Sequence, residues 1–503
     1  FYQGADLVAF SEKTCREKSR DELSKRADCY LLKHKNFDYI RVSGRHNEAG
    51  IILPKFIKQR SIADFEFAID LGTSNTHIEF RKKGEQRSMP FTYSDEDRQA
   101  YEIFSPTINE NGSLENLQAE RTIIEADFLP NEVGAGDFHF PTRTVLSCAK
   151  GLDWDKTVDP YMLVNVPLTY NKRRDLRYND MRCDIKWGTG DDLKAMDAYI
   201  RGVLLLIRNK VLINGGNLRR TCIIWFYPIS MAPKRRRLLK DVWNKWYKEY
   251  FGGEQTNCMT ESSAPIQYYF SRYSTTTSLV NVDIGGGTTD IAFAKDGAIN
   301  YVTSFRFATN ALFEDSFSRL DDTNGIIDRY KDDFKTLLER QNELMSVFDS
   351  ESNRRPSNMA SFLFSLKDNS MVKKAKINEK SIDFNNILLQ DEDFKISFII
   401  FYTAIVYHIA QITKVLGLEM PRHISFSGNG SKIVRVITTD LDILSKYTKI
   451  VFEKVLGRPY DKSLEIIGLE DGQDPKESTC KGGLIGRPDD NSDMDRMIVL
   501  KSS

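Results

Sequence analysis

The chain has 503 residues with 71 basic and 71 acidic side chains, so its formal net charge is zero. This balance argues against bulk electrostatic binding to nucleic acid or to an anionic membrane. Hydrophobic residues make up 41% of the chain and aromatic residues 11%, which excludes a disordered protein. The length predicts several compact units rather than a single core.

The cysteines are scattered, odd in number and without C-x-x-C spacing, which favours a reduced chain in the cytoplasm. The histidines do not cluster with them, so the sequence predicts no zinc site. The cysteines are Cys15, Cys29, Cys148, Cys183, Cys222, Cys258 and Cys480.

Apolar alternation predicts strands from Phe65 onward, after an N-terminal extension of residues 1–62 to which the sequence assigns no role. Residues 94–135 are polar and acidic without clear periodicity, which indicates an insertion. A strand is predicted over Met181–Trp187. The apolar spacing over Asp191–Leu212 predicts a helix.

A further strand, Thr221–Tyr227, precedes a helix predicted over Pro233–Tyr247, because proline is favoured in a first helical turn. The run Lys234–Arg237 lies on this helix, and the neutral overall charge favours a solvated helix face over a nucleic-acid site. Polar residues interrupt the most hydrophobic stretch, Phe394–Leu418, so we expect a buried helix there and no membrane span.

Two segments roughly 210 residues apart share almost the same pattern. Phe67–Thr76 and Val280–Asp290 both read apolar-x-apolar-Asp-apolar-Gly, followed by a turn of small polar residues and a returning strand. The pattern predicts a buried strand that ends in Asp70 or Asp283 and leads into a turn with exposed backbone N–H groups. Such groups suit phosphate oxygens, and an adjacent Asp suits Mg²⁺ held through water. Two copies suggest two lobes that close on one nucleotide.

Five motifs, in this order, resemble those of the actin-like ATPase superfamily, which includes actin, the 70-kilodalton heat-shock (DnaK-type) chaperones and the sugar kinases. They are the first phosphate loop Ile69–Thr76, the first connecting helix Glu261–Tyr269, the second phosphate loop Val282–Asp290, the adenosine motif Ile424–Ile433 and the second connecting helix Lys476–Ile485. The D-x-G-G-G-T-x-D form of the second loop is closest to the chaperones.

The resemblance implies an α/β fold with two lobes, built from duplicated ribonuclease-H-like domains around a central nucleotide cleft. Residues 63–278, completed by 476–503, would form the first lobe. Residues 279–475 would form the second lobe, with a helical subdomain near 312–390. The implied cofactors are ATP or ADP together with Mg²⁺.

The resemblance also implies roles for individual residues. Asp70 and Asp283 would hold Mg²⁺ through water, and Asp283 would help to orient the attacking water. Glu261 would position metal and water, and Lys186 resembles the chaperone strand lysine that reaches the γ-phosphate. Asp290 is interpreted as a residue that could simply stabilise the glycine turn. The nucleotide-binding positions are Gly72, Thr73, Ser74, Asn75, Gly285, Gly286, Gly287, Thr288, Thr289, Gly428, Gly430 and Lys432.

Three features depart from the chaperone pattern. Lys432 stands where the chaperones have an arginine that stacks on adenine, and lysine lacks the planar guanidinium. Phe305–Phe313 replaces their G-G-E segment, which puts the γ-phosphate contacts from that segment in question. The tail Arg487–Ser503 shows neither their hydrophobic interdomain linker nor a β-rich substrate domain.

The function favoured by these motifs is ATP binding and slow ATP hydrolysis that drive a conformational switch, chaperone-like or regulatory, read by a protein partner. An actin-like filament-forming ATPase and a small-molecule kinase of the sugar-kinase branch remain as alternatives. A kinase would need a catalytic base for its acceptor, and no signature of one is visible. A degenerate nucleotide-binding scaffold is a further alternative, against which both Asp turns and Glu261 count.

Overall fold

The computed structural model describes residues 61–92, 140–144, 146–149, 179–182, 185–273, 278–313, 325–340, 356–368, 376–469 and 474–486, with shorter stretches within 1–53, 107–115 and 345–372. The insertion predicted over 94–135 and the tail 487–503 lie mostly or wholly outside these residues.

Short antiparallel hairpins form in the described part of the N-terminal extension, and they join neither of the two large sheets. Their strands are β1 (Tyr2–Gln3), β2 (Asp6–Leu7), β3 (Phe10–Lys13), β4 (Cys29–Leu32), β5 (Ile40–Ser43) and β6 (Ala49–Ile52). The role of this extension stays open.

The first large sheet begins with a long hairpin whose strands carry the first Asp turn. Its strands in chain order are β7 (Phe65–Leu71), β8 (Asn75–Lys82), β9 (Met89–Pro90), β12 (Thr142–Arg143), β15 (Cys222–Tyr227) and β16 (Asn257–Thr260). Two separate hairpins lie between them in the chain, β10 (Thr107–Ile108) with β11 (Leu114–Glu115) and β13 (Leu146–Ala149) with β14 (Asn179–Arg182). The sheet order is β12-β8-β7-β15-β16, with β9 also paired to β8. Strands β7, β15 and β16 run parallel, and β8 runs antiparallel to β7.

The second large sheet repeats this arrangement. Its strands are β17 (Ser278–Ile284), β18 (Thr289–Lys295), β19 (Ala298–Phe305), β20 (His423–Ser427) and β21 (Glu465–Ile467), in the order β19-β18-β17-β20-β21. Here too an antiparallel hairpin, β17 and β18, is followed by two strands parallel to its first strand. This duplicated mixed topology confirms the predicted two-lobed actin-like α/β fold. The exact lobe bounds, 63–278 and 279–475, stay predictions.

The described α-helices pack against these sheets or against one another. They are α1 (Asp191–Ile213), α2 (Pro233–Phe251), α3 (Ser263–Arg272), α4 (Asn310–Phe313), α5 (Gly325–Leu338), α6 (Pro356–Ser365), α7 (Glu379–Ile382), α8 (Phe384–Gln390), α9 (Glu392–Val415), α10 (Val434–Ile437), α11 (Leu441–Leu456) and α12 (Glu477–Ile485). Helices α1 and α2 confirm the two helices predicted before and after strand β15. Their apolar faces, including Tyr199 and Trp243, share one core with Phe67 of the first sheet.

The strand predicted over Met181–Trp187 is wrong in its second half. Strand β14 ends at Arg182, and the described residues 185–187 form a turn. The guanidinium of Arg235 explains the turn, because it donates hydrogen bonds to the carbonyl oxygens of Ile185, Lys186 and Gly188. Carbonyls engaged in this way are not available to a strand partner.

The same contact corrects the interpretation of the basic run as a solvated helix face. Lys234 and Arg237 are exposed, but Arg235 is half-buried against the turn that carries Lys186. Arg236 is also half-buried, with its guanidinium over the ring of Tyr227. The two inner residues of the run therefore have structural contacts, and the two outer ones are solvated.

Helix α9 is the one described helix that is long and apolar enough to cross a membrane by length and composition alone. Half of its most apolar window is buried. Phe398, Ile405 and Ile409 pack into the core of the second sheet, whereas Ile396 and Ile400 are exposed.

Helices α3 and α12 lie between the two sheets and pack on each other. Ala264 of α3 shares an apolar cluster with Phe226 of the first sheet and Leu484 of α12. On the same helix, Tyr269 joins a cluster with strands of the second sheet, and its hydroxyl donates to the carbonyl oxygen of Phe426 at 3.1 Å. Helix α3 is thus physically connected to both lobes.

Candidate functional site

The first Asp turn is a tight hairpin between β7 and β8. Asp70 lies one residue before the end of β7 and is 3% exposed. The backbone N–H of Gly72 donates to the carbonyl oxygens of Asp70 and Asn75, both at 3.1 Å. A Cβ on Gly72 would overlap Asn75, so the turn requires glycine at this position. The indole N–H of Trp187 donates to Thr73 Oγ1 at 2.9 Å, which fixes that hydroxyl from outside the turn.

The second Asp turn has the same form and is held in place by Thr309 and Asn310. Gly285 N donates to the carbonyl oxygen of Thr288 at 3.0 Å and closes the turn. Thr309 Oγ1 donates to the carbonyl oxygen of Gly285 at 2.9 Å, and Asn310 N donates to that of Gly286 at 2.8 Å. Thr309 and Asn310 belong to the segment that departs from the chaperone pattern. The segment therefore positions the second phosphate loop through its own backbone and side chains.

The two turns come from separate sheets and approach each other at one point. A Cβ on Gly286 would lie 3.1 Å from Ser74 Oγ of the first turn. The two Asp turns thus lie next to each other, and their role in binding phosphate stays a prediction. A side chain in place of Gly286 would narrow the gap between the turns.

Lys186 and Glu261 form an ion pair beside these turns. Glu261 follows β16 and precedes α3, and its backbone N–H donates to the carbonyl oxygen of Tyr227 at 2.9 Å. Lys186 is 2% exposed and reaches Glu261 from the turn held by Arg235. The structure thus brings these two predicted residues together, although Lys186 lies on a turn and not on a strand.

The adenosine motif packs directly against the second phosphate loop. Gly428 has φ = +81°, and a Cβ there would lie 2.5 Å from Asp283 Oδ1 and 2.6 Å from the carbonyl oxygen of Ile284. A Cβ on Gly430 would lie 2.7 Å from that same oxygen. Both glycines are needed for this close backbone approach. Lys432 Nζ forms an ion pair with Asp474 Oδ2 at 2.8 Å.

Lys476, the first residue of the second connecting motif, lies at the first Asp turn, and the sequence analysis assigns it no role. It immediately precedes α12, is 5% exposed, and its Nζ lies 2.6 Å from Asp70 Oδ2. Ser427 was also missed, and its hydroxyl donates to Asp283 Oδ2 at 2.8 Å. The register of β17 and β20, which pairs Asp283 with Ser427, is a tertiary feature with no local signal.

The site carries more buried carboxylates than buried ammonium groups. Burial, followed by the charges of Glu261 and Asp70, raises the pKa of Asp283 well above its usual range. Burial raises the pKa of Glu261 although the charge of Lys186 opposes the shift. Burial alone would lower the pKa of Lys476, but the charge and hydrogen bond of Asp70 raise it. This excess of negative charge suits an additional cation near Asp283.

Direct metal coordination is a poor fit to the site. Within the described residues, no group of three or more His, Cys, Asp or Glu side chains is arranged to hold a metal ion. Asp283 fits a hydrated cation, because its carboxylate lies in the negative cluster. Asp70 fits one less well, since the ammonium of Lys476 at its Oδ2 would repel a second cation there. The two turns fit a phosphate chain, because residues 72–75 and 285–288 are half-exposed and are rich in glycine and hydroxyl side chains.

Asp290 yields a prediction about stability and pH. Asp290 is 2% exposed, and burial, followed by the charge of Glu261, raises its pKa from 3.8 to about 7. The folded state therefore binds this proton more tightly than the unfolded state, so the carboxyl destabilises the fold increasingly between about pH 4 and pH 7. We expect Asp290→Asn to raise the free energy of unfolding at pH 8 by about 2–4 kcal/mol and to change it little near pH 4.

Urea unfolding of the nucleotide-free protein at both pH values measures this difference. Asp328→Asn, on the exposed side of α5, is the matched control and should shift neither value. An Asp290→Asn protein with wild-type stability at pH 8 would contradict the prediction.

No model of a known protein family matches the sequence, and no curated protein matches it significantly. Among solved structures, the chain is similar to the ethanolamine utilization protein EutJ from Carboxydothermus hydrogenoformans, at 10% identity and a TM-score of 0.32, over 84% of this chain and 90% of that one. It is also similar to MreB5 of Spiroplasma citri bound to ADP, at 13% identity and a TM-score of 0.34. The AMPPNP-bound form of the same MreB5 is 16% identical to this chain, with a TM-score of 0.33. Both MreB5 comparisons cover 84% of this chain and 95% of the other.

Proposed function

We propose that the protein binds ATP between its two Asp turns and hydrolyses it slowly in the presence of Mg²⁺. The observation that carries this proposal is the approach of the two turns, in which Ser74 Oγ faces Gly286. Each turn follows a buried aspartate, and the Lys186–Glu261 pair lies beside them. Phosphoryl transfer needs positioned water and neutralised phosphate charge rather than covalent chemistry, and these groups supply both.

Each residue has a definite role in this proposal. The backbone of residues 72–75 and 285–289 would cradle the phosphate chain, with Thr73 and Ser74 adding hydroxyls. Lys186 would neutralise charge on the terminal phosphate, and Glu261 would accept a hydrogen bond from the attacking water. Asp283 would hold a hydrated Mg²⁺, whose chemistry is to neutralise and orient the phosphate oxygens. Gly428 and Gly430 would let the adenosine part approach the second loop.

We further propose that ATP binding and hydrolysis drive a heat-shock-70-like conformational switch with a chaperone-like or regulatory role. It is supported by the chaperone form of the second loop and by α3, which packs on both sheets and follows Glu261 directly. Through this helix a change at the phosphates would move one lobe relative to the other. We propose that a protein partner in the cytoplasm reads this motion. The Lys432–Asp474 pair supports a contact to the nucleotide base that differs from the arginine stacking of the chaperones.

The test is to mix purified protein with ATP and Mg²⁺ and to measure bound nucleotide and released phosphate. We expect saturable ATP binding and phosphate release at a rate well below one turnover per second, with no dependence on an added phosphate acceptor. Acceptor-dependent turnover would indicate a kinase, and ATP-dependent sedimentation would indicate a filament. Absence of ATP binding would refute the proposed function.

A further inference from the structure

Lys476 places a buried positive charge at the point where the first Asp turn would otherwise present a free carboxylate. Its Nζ lies 2.6 Å from Asp70 Oδ2, and both side chains are almost completely buried. A Cβ on Gly72 would lie 2.8 Å from the same Nζ, so the ammonium sits directly against the first residue of the turn. The ammonium of Lys476 therefore lies next to the backbone of the first Asp turn, which would bind phosphate.

The ammonium also lies within the electrostatic reach of the other site carboxylates. Asp283 and Glu261 both act on the charge of Lys476, and Lys476 in turn acts on Asp283. The cation is thus shared by carboxylates from both lobes, although its contact is with Asp70. A hydrated Mg²⁺ that bound between Asp70 and Asp283 would occupy the same region and would meet like charge there.

The position of Lys476 is built into the fold. Asp474 Oδ1 accepts a hydrogen bond from the backbone N–H of Lys476 at 2.9 Å, and its Oδ2 binds Lys432 at 2.8 Å. The residue stands at the N-cap of α12, whose glycines allow contact with α3. The ammonium is consequently held by a short structured segment and not by a flexible surface loop.

We propose that Lys476 is a nucleotide-binding residue that supplies, from within the chain, the positive charge on the Asp70 side of the phosphates, and that Mg²⁺ acts only on the Asp283 side. The inference rests on the proposed ATP site and deepens it. It replaces the role that the resemblance implies for Asp70 as a partner of hydrated metal. Asp70 becomes the residue that positions the lysine.

The proposal has a specific consequence for metal dependence. Because one cation is part of the protein, removal of Mg²⁺ should weaken ADP binding only modestly in the wild-type protein. Without the lysine, Asp70 would present an uncompensated charge to the phosphates, and a metal ion would be needed to screen it. Lys476→Met should therefore convert weak metal dependence into strong metal dependence.

The experiment measures the dissociation constant of a fluorescent ADP analogue in excess Mg²⁺ and in excess EDTA. We expect the EDTA-to-Mg²⁺ ratio to stay below about 5 in the wild-type protein and to rise at least about 10-fold in Lys476→Met. Lys481→Met, one turn further along α12, is the matched control, since Lys481 pairs with Glu477 and should leave the ratio unchanged. If Lys476→Met only disturbed the packing, the ADP analogue would bind more weakly by the same factor in Mg²⁺ and in EDTA, and the ratio would not change.

Asp70 would be buried without a partner in Lys476→Met, so a second variant guards against misfolding. Asp70→Asn combined with Lys476→Met removes both charges and should fold, as checked by its melting curve. We expect it to bind the analogue more weakly than wild type in EDTA, by at least about 10-fold. The inference would be overturned if the wild-type protein bound the ADP analogue only with Mg²⁺ and the variants kept the wild-type EDTA-to-Mg²⁺ ratio of dissociation constants. The proposed ATP binding would still stand in that case. A wild-type protein that binds no nucleotide in either condition would refute the proposed function and this inference together.

Discussion

Asp283→Asn is expected to lower the rate of ATP hydrolysis by at least about 100-fold while ADP binding is retained. The carboxylate ends a fully buried strand and accepts a hydrogen bond from Ser427 at 2.8 Å. Asparagine can accept the same hydrogen bond, so the local geometry should survive. What is lost is the negative charge that would hold hydrated Mg²⁺ and orient water.

The same substitution should not destabilise the protein. The pKa of Asp283 is raised by burial and by Glu261 and Asp70, so the charged form is unfavourable in the folded state. A neutral amide removes this cost, and we expect the melting temperature at pH 8 to stay the same or to rise. Lost hydrolysis in a protein of undiminished stability separates a catalytic role from a structural one.

Phosphate release under single-turnover conditions measures the effect on hydrolysis, and the fluorescent ADP analogue measures binding. Asp328→Asn serves as the control for loss of a single carboxylate on an exposed helix. Hydrolysis by Asp283→Asn within a few-fold of wild type would show that the reaction does not use this aspartate.

Gly482→Ala is expected to have the largest effect on stability and to lower the free energy of unfolding by about 3 kcal/mol or more. A Cβ on Gly482 would overlap the carbonyl oxygen of Ala264 on the facing helix. Backbone atoms cannot move aside as a flexible side chain would, so α3 and α12 must separate. The neighbouring Gly483 makes a similar approach to the ring of Phe226, which leaves little room for the helix to shift.

The functional effect should follow from the position of Glu261 just before α3. A displaced α3 would move Glu261 away from Lys186, and we expect ATP hydrolysis to fall together with stability. Gly325→Ala is the matched control, because no atom of the described part of the chain lies within 4 Å of its added Cβ. Chemical denaturation measures both proteins. An unchanged unfolding midpoint for Gly482→Ala would show that the two helices do not pack in the solution structure as described.

Features that depend on neighbouring residues were predictable. The alternation before Asp70 and Asp283 and the glycine turns after them describe hairpins formed by a few adjacent residues, and the structure has these hairpins. Helices α1 and α2 were predictable for the same reason, since their apolar periodicity is local. The order of the five motifs also led to the two-lobed fold. Their functional roles stay predictions.

Features that depend on distant residues were not predictable. The turn at Lys186 replaces a strand because Arg235 binds its carbonyl oxygens, and nothing near Lys186 in the sequence indicates that contact. Thr309 and Asn310 hold the second loop from a segment that resembled no known motif.

The sequence by itself determined the two Asp turns, because each is encoded by adjacent residues whose backbone preferences suffice. Only the tertiary structure decided which charged and polar side chains contact the two turn aspartates. Lys476 reaches Asp70 because α12 packs against strand β7 as well as α3, and Ser427 reaches Asp283 through the register of parallel strands. Packing and register arise from contacts across the whole chain, so the electrostatics of the site depend on the fold and not on the motifs.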